Sequence, residues 1–168
     1  MGGRQLVLRG WLAGARPSGL VVATTSRLQG KRLVRAAVQH LALQVAAGAQ
    51  GRASVLVGRA AVGPGLTRLE LPPLPPGEAA AQLEALVNLR AEGLRAPLPF
   101  WPDATFTVAR AANDAAAGDA LRTAWSRAVE QGGLPRPLTL LWSQERLATA
   151  PGLLSIAQAV MGPLRGAT

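Results

Sequence analysis

The chain has 168 residues, 49% of them apolar and 16% charged, enough for one domain with its own core and too apolar for a disordered segment. Eighteen basic residues against nine acidic ones leave a net charge of +9, which favours polyanions or acidic partner surfaces over cationic ligands. Cysteine is absent, which excludes disulfides and thiolate metal sites.

At the N-terminus, Leu6, Leu8, Gly10 and Leu12 alternate with Val7, Arg9 and Trp11, the period of a strand. Arg16-Pro17-Ser18-Gly19 is punctuated as a turn, and Leu20–Ser26 supplies a second, β-branched run. The two runs predict a hairpin whose loop is longer than the tightest kind. After Gly30 the period changes. Leu33, Val34, Ala37, Val38, Leu41 and Val45 recur at helical spacing up to Gly48. Lys31, Arg35 and Gln39 form a stripe on another side of that helix, with Arg32 beside it; it reads as a solvated face or as a nucleic-acid contact.

Val55–Val57 and Leu66–Leu71 are two further strand candidates on either side of Gly63-Pro64-Gly65. Pro72-Pro73-Leu74-Pro75-Pro76 is a stiff spacer without ladder donors, read as the connector to the next helix. That helix spans Glu78–Leu94, with Leu83, Leu86, Val87 and Leu94 on its buried side. The proline-bounded Ala96–Pro102 carries Phe100 and Trp101, read as a plug between layers in preference to a base-stacking platform. A helical tract starts at Thr105 and breaks near Asn113–Gly118, with Asp119 as the cap of the next helix. Leu121, Ala124, Trp125, Ala128 and Val129 share that helix's face, and Gly132-Gly133 ends it. Leu138–Trp142 is ambiguous, and Ala150–Leu164 is a last apolar helix. No internal repeat or strong boundary divides residues 1–168, so a single domain is expected.

The chemistry-bearing residues are sparse. No acidic residue precedes Glu70, and those that follow are scattered. Hydrolysis by magnesium or a metal pair needs convergent carboxylates, because hard cations demand anionic oxygen ligands. No phosphate loop ending in Lys-Ser/Thr and no nucleophile elbow occur. His40, with Ala36 and Leu43 as helical neighbours, reads as a core-edge histidine. An enzyme with its own active site is not expected, nor is a cofactor. Arg4 and Arg9 interrupt any signal-peptide core, and no run approaches the roughly 20 apolar residues of a membrane helix, so a cytoplasmic protein with no membrane contact is expected.

Several stretches together carry a resemblance: LRGWL at Leu8–Leu12, Gly19-Leu20, AVQHLAL at Ala37–Leu43, ELPPLPPGEA at Glu70–Ala79, GLRAPLPFWP at Gly93–Pro102, ARAANDA at Ala109–Ala115, and the final helix before Pro163-Leu164. In order and spacing, over nearly the whole chain, they resemble the C-terminal region of the gamma subunit of exodeoxyribonuclease V (RecC). The resemblance implies an α/β fold similar to PD-(D/E)XK nucleases, a mixed sheet flanked by helices, catalytically degenerate. In an active nuclease of that fold an aspartate would stand at Ala13, an acid at Val22 and a lysine at Thr24, the acids holding Mg²⁺ and the lysine helping to activate water.

The resemblance further implies a non-catalytic domain of the RecBCD helicase–nuclease, which repairs DNA double-strand breaks. Its partners would be the alpha helicase subunit, the beta subunit and DNA, and it would lie near the point where the duplex is split. Two alternatives stay open: an active nuclease with unorthodox ligands such as Glu70 and Asp103, and a free-standing nucleic-acid binder working through Lys31, Arg32 and Arg35.

Overall fold

A β-strand, a helix and a second, parallel β-strand make the frame on which the rest is hung. The structure, a computed structural model, describes residues 7–60 and 63–164. Four strands lie in the order β1 (Ala15–Arg16), β2 (Gly19–Arg27), β3 (Ser54–Arg59) and β4 (Leu66–Leu71). The outer pairs are antiparallel and β2 runs parallel to β3, so the sheet is mixed as expected. Parallel neighbours need a crossover. Here it is α1 (Lys31–Ala47), the predicted basic helix. It is followed by α2 (Pro76–Gly93), α3 (Pro102–Ala109), α4 (Asp114–Glu130), α5 (Arg136–Leu141), α6 (Gln144–Ala148) and α7 (Leu153–Met161).

The predicted N-terminal strand is corrected. Leu6 lies outside the described residues, and Val7–Leu12 have no regular structure, with Val7, Leu8 and Trp11 exposed. Alternation alone does not make a strand; a partner must supply the ladder. The sheet ends instead at a two-residue strand that pairs Ala15 with Leu20 and Arg16 with Gly19. The loop is therefore only Pro17-Ser18, the tightest kind rather than a longer one. The Arg52 guanidinium holds this turn from behind, donating to the carbonyls of Arg16 and Pro17.

The sheet has one covered and one open face. Leu20 on β2, Ser54, Leu56 and Gly58 on β3, and Leu71 on β4 point inward and are buried. Val21, Ala23, Thr25 and Arg27 alternate with them and are exposed. In α1 the buried set is Leu33, Ala36, Ala37, His40, Leu41, Leu43 and Gln44, so the stripe is rotated from the purely apolar expectation and Val38 and Val45 are exposed. Two polar residues take their place, each anchored by hydrogen bonds. His40 Nδ1 lies 2.7 Å from Ser54 Oγ, and Gln44 bridges to the backbone of Arg52 through both its amide groups.

The helices behave mostly as their sequences require. Asn113, not Asp119, caps α4, its side chain accepting from the Ala116 N–H at 2.9 Å. Asp119 lies inside the helix and pairs with Arg122, which also makes a two-pronged bond to Glu145 and so ties α4 to α6. Gly118 is tolerated in the helix because a Cβ there would stand 2.8 Å from the Ala148 carbonyl of α6. The Leu138–Trp142 run becomes α5. Leu94 and Val129, expected on buried faces, are exposed. Trp101 is the core plug that its proline-bounded segment promised, buried and packed edge-on against Trp125 with ring centroids 6.0 Å apart. No helix among the described residues is long and apolar enough to cross a membrane.

Candidate functional site

The parallel β2–β3 pair breaks its register between Ala23 and Arg27. Val22 faces Leu56 and Ala23 faces Val57, but the next pair is Arg27 with Arg59, so β2 spends two more residues than β3. Such bulges bend a strand and re-aim its side chains. This one is accommodated by Gly58. A Cβ there would come within 2.9 Å of the Ser26 carbonyl and the Thr24 methyl, and within 2.7 Å of Leu28. The strand then leads through Leu28 into Gly30, at positive φ, where a side chain would collide with the Asp103 carboxylate. That carboxylate beside the start of α1 suits the positive end of the helix dipole.

Between the bulged strand, the turn before β1 and α1 lies a cleft of about 350 Å³. Ala13, Val22 and Thr24 all line it. So do Arg32, Arg35 and Gln39, which follow one another along one side of α1. Arg32 Nη2 donates to Ser26 Oγ at 2.9 Å, which fixes one edge of its guanidinium against the bulge. Lys31, the remaining member of the predicted basic set, lines a second, larger cavity together with Arg32. That cavity, about 640 Å³, is walled by the proline-bounded 97–102 segment and by α5, with Phe100, Leu138, Leu141 and Trp142 as apolar lining and Asp103 as its acid. Arg32 stands on the boundary between the two. Among the described residues, none of Lys31, Arg32 and Arg35 is in an ion pair.

The divalent cation that a nuclease fold implies does not suit this lining. The cleft offers no carboxylate and presents two guanidinium groups, which repel a metal and attract an anion. Nor do Glu70 and Asp103, the unorthodox ligand pair, come together. Glu70 stands on the open sheet face, accepting from Arg68 at 2.9 Å, while Asp103 opens α3 and faces the larger cavity. No group of three or more His, Asp or Glu side chains among the described residues is placed to hold a metal.

His40 and Ser54 form the one close hydroxyl–imidazole pair, and both are fully buried. Burial lowers the histidine pKa from its ordinary value, an effect offset in part by the Pro72 carbonyl; Nε2 makes no hydrogen bond of good geometry. The pair has no access to a substrate. It braces α1 against β3 and the proline connector, which is more buried than the predicted core-edge position.

Sequence reasoning singled out Lys31, Arg32 and Arg35, which the structure places in the lining of these two cavities, but missed the larger cavity itself. Its walls come from three stretches far apart in the chain, and only the proline punctuation of two of them hinted at a shared surface. The family model of the RecC C-terminal domain matches residues 1–113, which include β1 to β4, α1, α2 and α3. No curated protein matches the chain.

Proposed function

Because the chain belongs to the RecC C-terminal domain family, we propose that it is a non-catalytic interaction domain of a RecBCD-type helicase–nuclease in DNA repair and recombination. RecC is the gamma subunit of that complex, exodeoxyribonuclease V. The domain docks the alpha helicase subunit, with the beta subunit in the same assembly, close to where the duplex is split. Its fold is a relic of the PD-(D/E)XK nucleases, with Ala13, Val22 and Thr24 at the places of the lost metal ligands and lysine. The observation that carries this reading is family membership joined to a cleft whose lining holds arginines in place of carboxylates.

The test has two arms. Purified chain incubated with linear duplex or single-stranded DNA and Mg²⁺ or Mn²⁺ is expected to leave the DNA intact. Metal-dependent cleavage that disappears in Glu70→Ala would instead establish an active nuclease with unorthodox ligands. In the second arm, coexpression with the alpha helicase subunit is expected to yield a complex that survives purification. Separate elution of the two chains would remove the docking role. Lys31, Arg32 and Arg35 are exposed and in no ion pair among the described residues, which favours a second reading as well, a basic nucleic-acid binder.

A further inference from the structure

The lining of the cleft inverts the charge logic of a metal-dependent nuclease. Such an enzyme places carboxylates in its cleft, recruits a cation, and lets the cation meet the phosphate. Here Arg32 and Arg35 stand in the cleft themselves, with the Thr24 hydroxyl and the Gln39 amide among its polar groups and no acid in the lining. We propose that this cleft is a seat for the phosphodiester backbone of single-stranded nucleic acid, gripped directly by Arg32 and Arg35 without a metal. Guanidinium forks match phosphate oxygens in pairs, and a fork with one edge already fixed loses less freedom on binding. Arg32 is such a fork, because Ser26 Oγ takes one of its donors and leaves the others open.

The strandedness follows from the neighbouring cavity. Arg32 lines both spaces, so a phosphate held there has an apolar recess at its side. Phe100 and Trp142 line that recess, Trp142 with the Arg146 guanidinium 5.5 Å from its ring centroid, and they supply the aromatic rings for an unstacked base, with Lys31 in the same lining for the adjoining phosphate. A duplex keeps its bases stacked inside and cannot fill the recess. Asp103, the acid of that recess, repels phosphate and leaves the backbone to the arginine side. This seat uses the same cleft that enters the docking proposal and rests on the nucleic-acid reading given above, for which it names the strandedness and the gripping residues.

The test is fluorescence anisotropy of a labelled oligothymidylate and of a duplex of equal length, titrated with the full chain over a series of salt concentrations. Arg32→Ala/Arg35→Ala is expected to weaken single-strand binding by about tenfold or more, and to lower the slope of log K against log salt by roughly 1.4, about 0.7 for each phosphate contact on a single strand. The control Arg27→Ala/Arg59→Ala removes the same charge from the open sheet face, outside the lining of both cavities, and is expected to cost much less. Ala13→Glu, an exposed turn position on the cleft wall, puts back a carboxylate and is expected to weaken binding comparably while leaving thermal unfolding unchanged. Phe100→Ala/Trp142→Ala is expected to lower single-strand affinity by roughly 5- to 100-fold and duplex affinity little.

Equal losses from the two arginine pairs would overturn the seat. So would equal affinity for the duplex, competition by polyglutamate as strong as by oligonucleotide, or no binding at low salt. Copurification with the helicase subunit, measured on the same Arg32→Ala/Arg35→Ala chain, separates the two proposals. Retained docking with lost DNA binding supports the seat, while lost docking with retained DNA binding counts against it.

Discussion

His40 sits at the meeting point of α1, the start of β3 and the proline connector, and its surroundings make it sensitive to acid. Burial holds its pKa below the usual histidine value, so the folded chain refuses a proton that the unfolded chain accepts. The stability this neutral group permits is complete above the unfolded value of about 6.5 and is lost as pH falls from there to the lowered folded value. Within that window the slope from this one group is at most about 1.4 kcal/mol per pH unit. Urea denaturation midpoints measured across the acid range are expected to show this fall, and His40→Gln to flatten it. A His40→Gln chain with an unchanged acid profile would show that another group titrates there. Ser54→Ala leaves the imidazole without its 2.7 Å partner, and is expected to cost about 1–3 kcal/mol by the same measurement. Ala13, Val22 and Thr24 illustrate the opposite case. Nothing about an alanine, a valine and a threonine in isolation suggests a site, and they gain meaning only beside Arg32 and Arg35 in one cleft.

The bulged strand β2 is the element that shapes the site. Its two extra residues lift Thr24 and Ser26 over β3, and the absence of a side chain at Gly58 leaves room for them. Gly58→Ala forces the Ser26 carbonyl and the Leu28 side chain apart from a Cβ that would stand 2.7 to 2.9 Å away. Overpacking of this kind costs about 1–3 kcal/mol, or roughly 3–10 °C in a thermal scan of a domain this size. Gly65→Ala, which meets open space, is the control and is expected to leave the midpoint within about a degree. If Gly58→Ala melts with the wild type, the bulge is looser than its contacts imply. The same element shows why the first predicted strand failed. β2 pairs at its start with Ala15-Arg16, and the turn at Ala13-Gly14, with Gly14 at positive φ, separates Leu8–Leu12 from that pairing.

At the scale of the whole molecule, one apolar cluster runs through the sheet and through α1, α3, α4 and α7, from Leu56 and Leu71 to Leu121 and Met161. A smaller cluster of Leu41, Ala79 and Leu83 seals α2 against α1. With a shared core of this extent the 168 residues are expected to unfold as one unit. Far-ultraviolet circular dichroism and tryptophan emission are then expected to give coincident transitions. Two separated transitions would divide the chain into independent parts. Charge is distributed less evenly than the core. Since no acid precedes Glu70, the sheet's first three strands and α1 are purely basic, whereas Asp119 and Glu145 are spent on Arg122. The cations of α1 are left open to solvent as a result.

Much of this was legible in the sequence, because periodicity and punctuation are local. The helices α1, α2 and α7, the strands β3 and β4, the proline connector and the plugging role of Trp101 follow from residues within a few positions of each other. The basic stripe of α1 and the resemblance in segment order belong to the same class. Other features depended on partners far along the chain. Whether Leu8–Leu12 pairs is settled by which residues come opposite Gly19-Leu20, and these are Ala15 and Arg16. Whether Asn113 or Asp119 caps α4 is settled by where α6 needs Gly118 for close approach. Most of all, the cleft and its larger neighbour are enclosed by residues from the N-terminal turn to α5. The sequence by itself determined the family, most of the element types and the sign of the charge. Only tertiary packing decided that Arg32 and Arg35 converge with Ala13, Val22 and Thr24, because a concave site is a property of surfaces brought together from distant stretches.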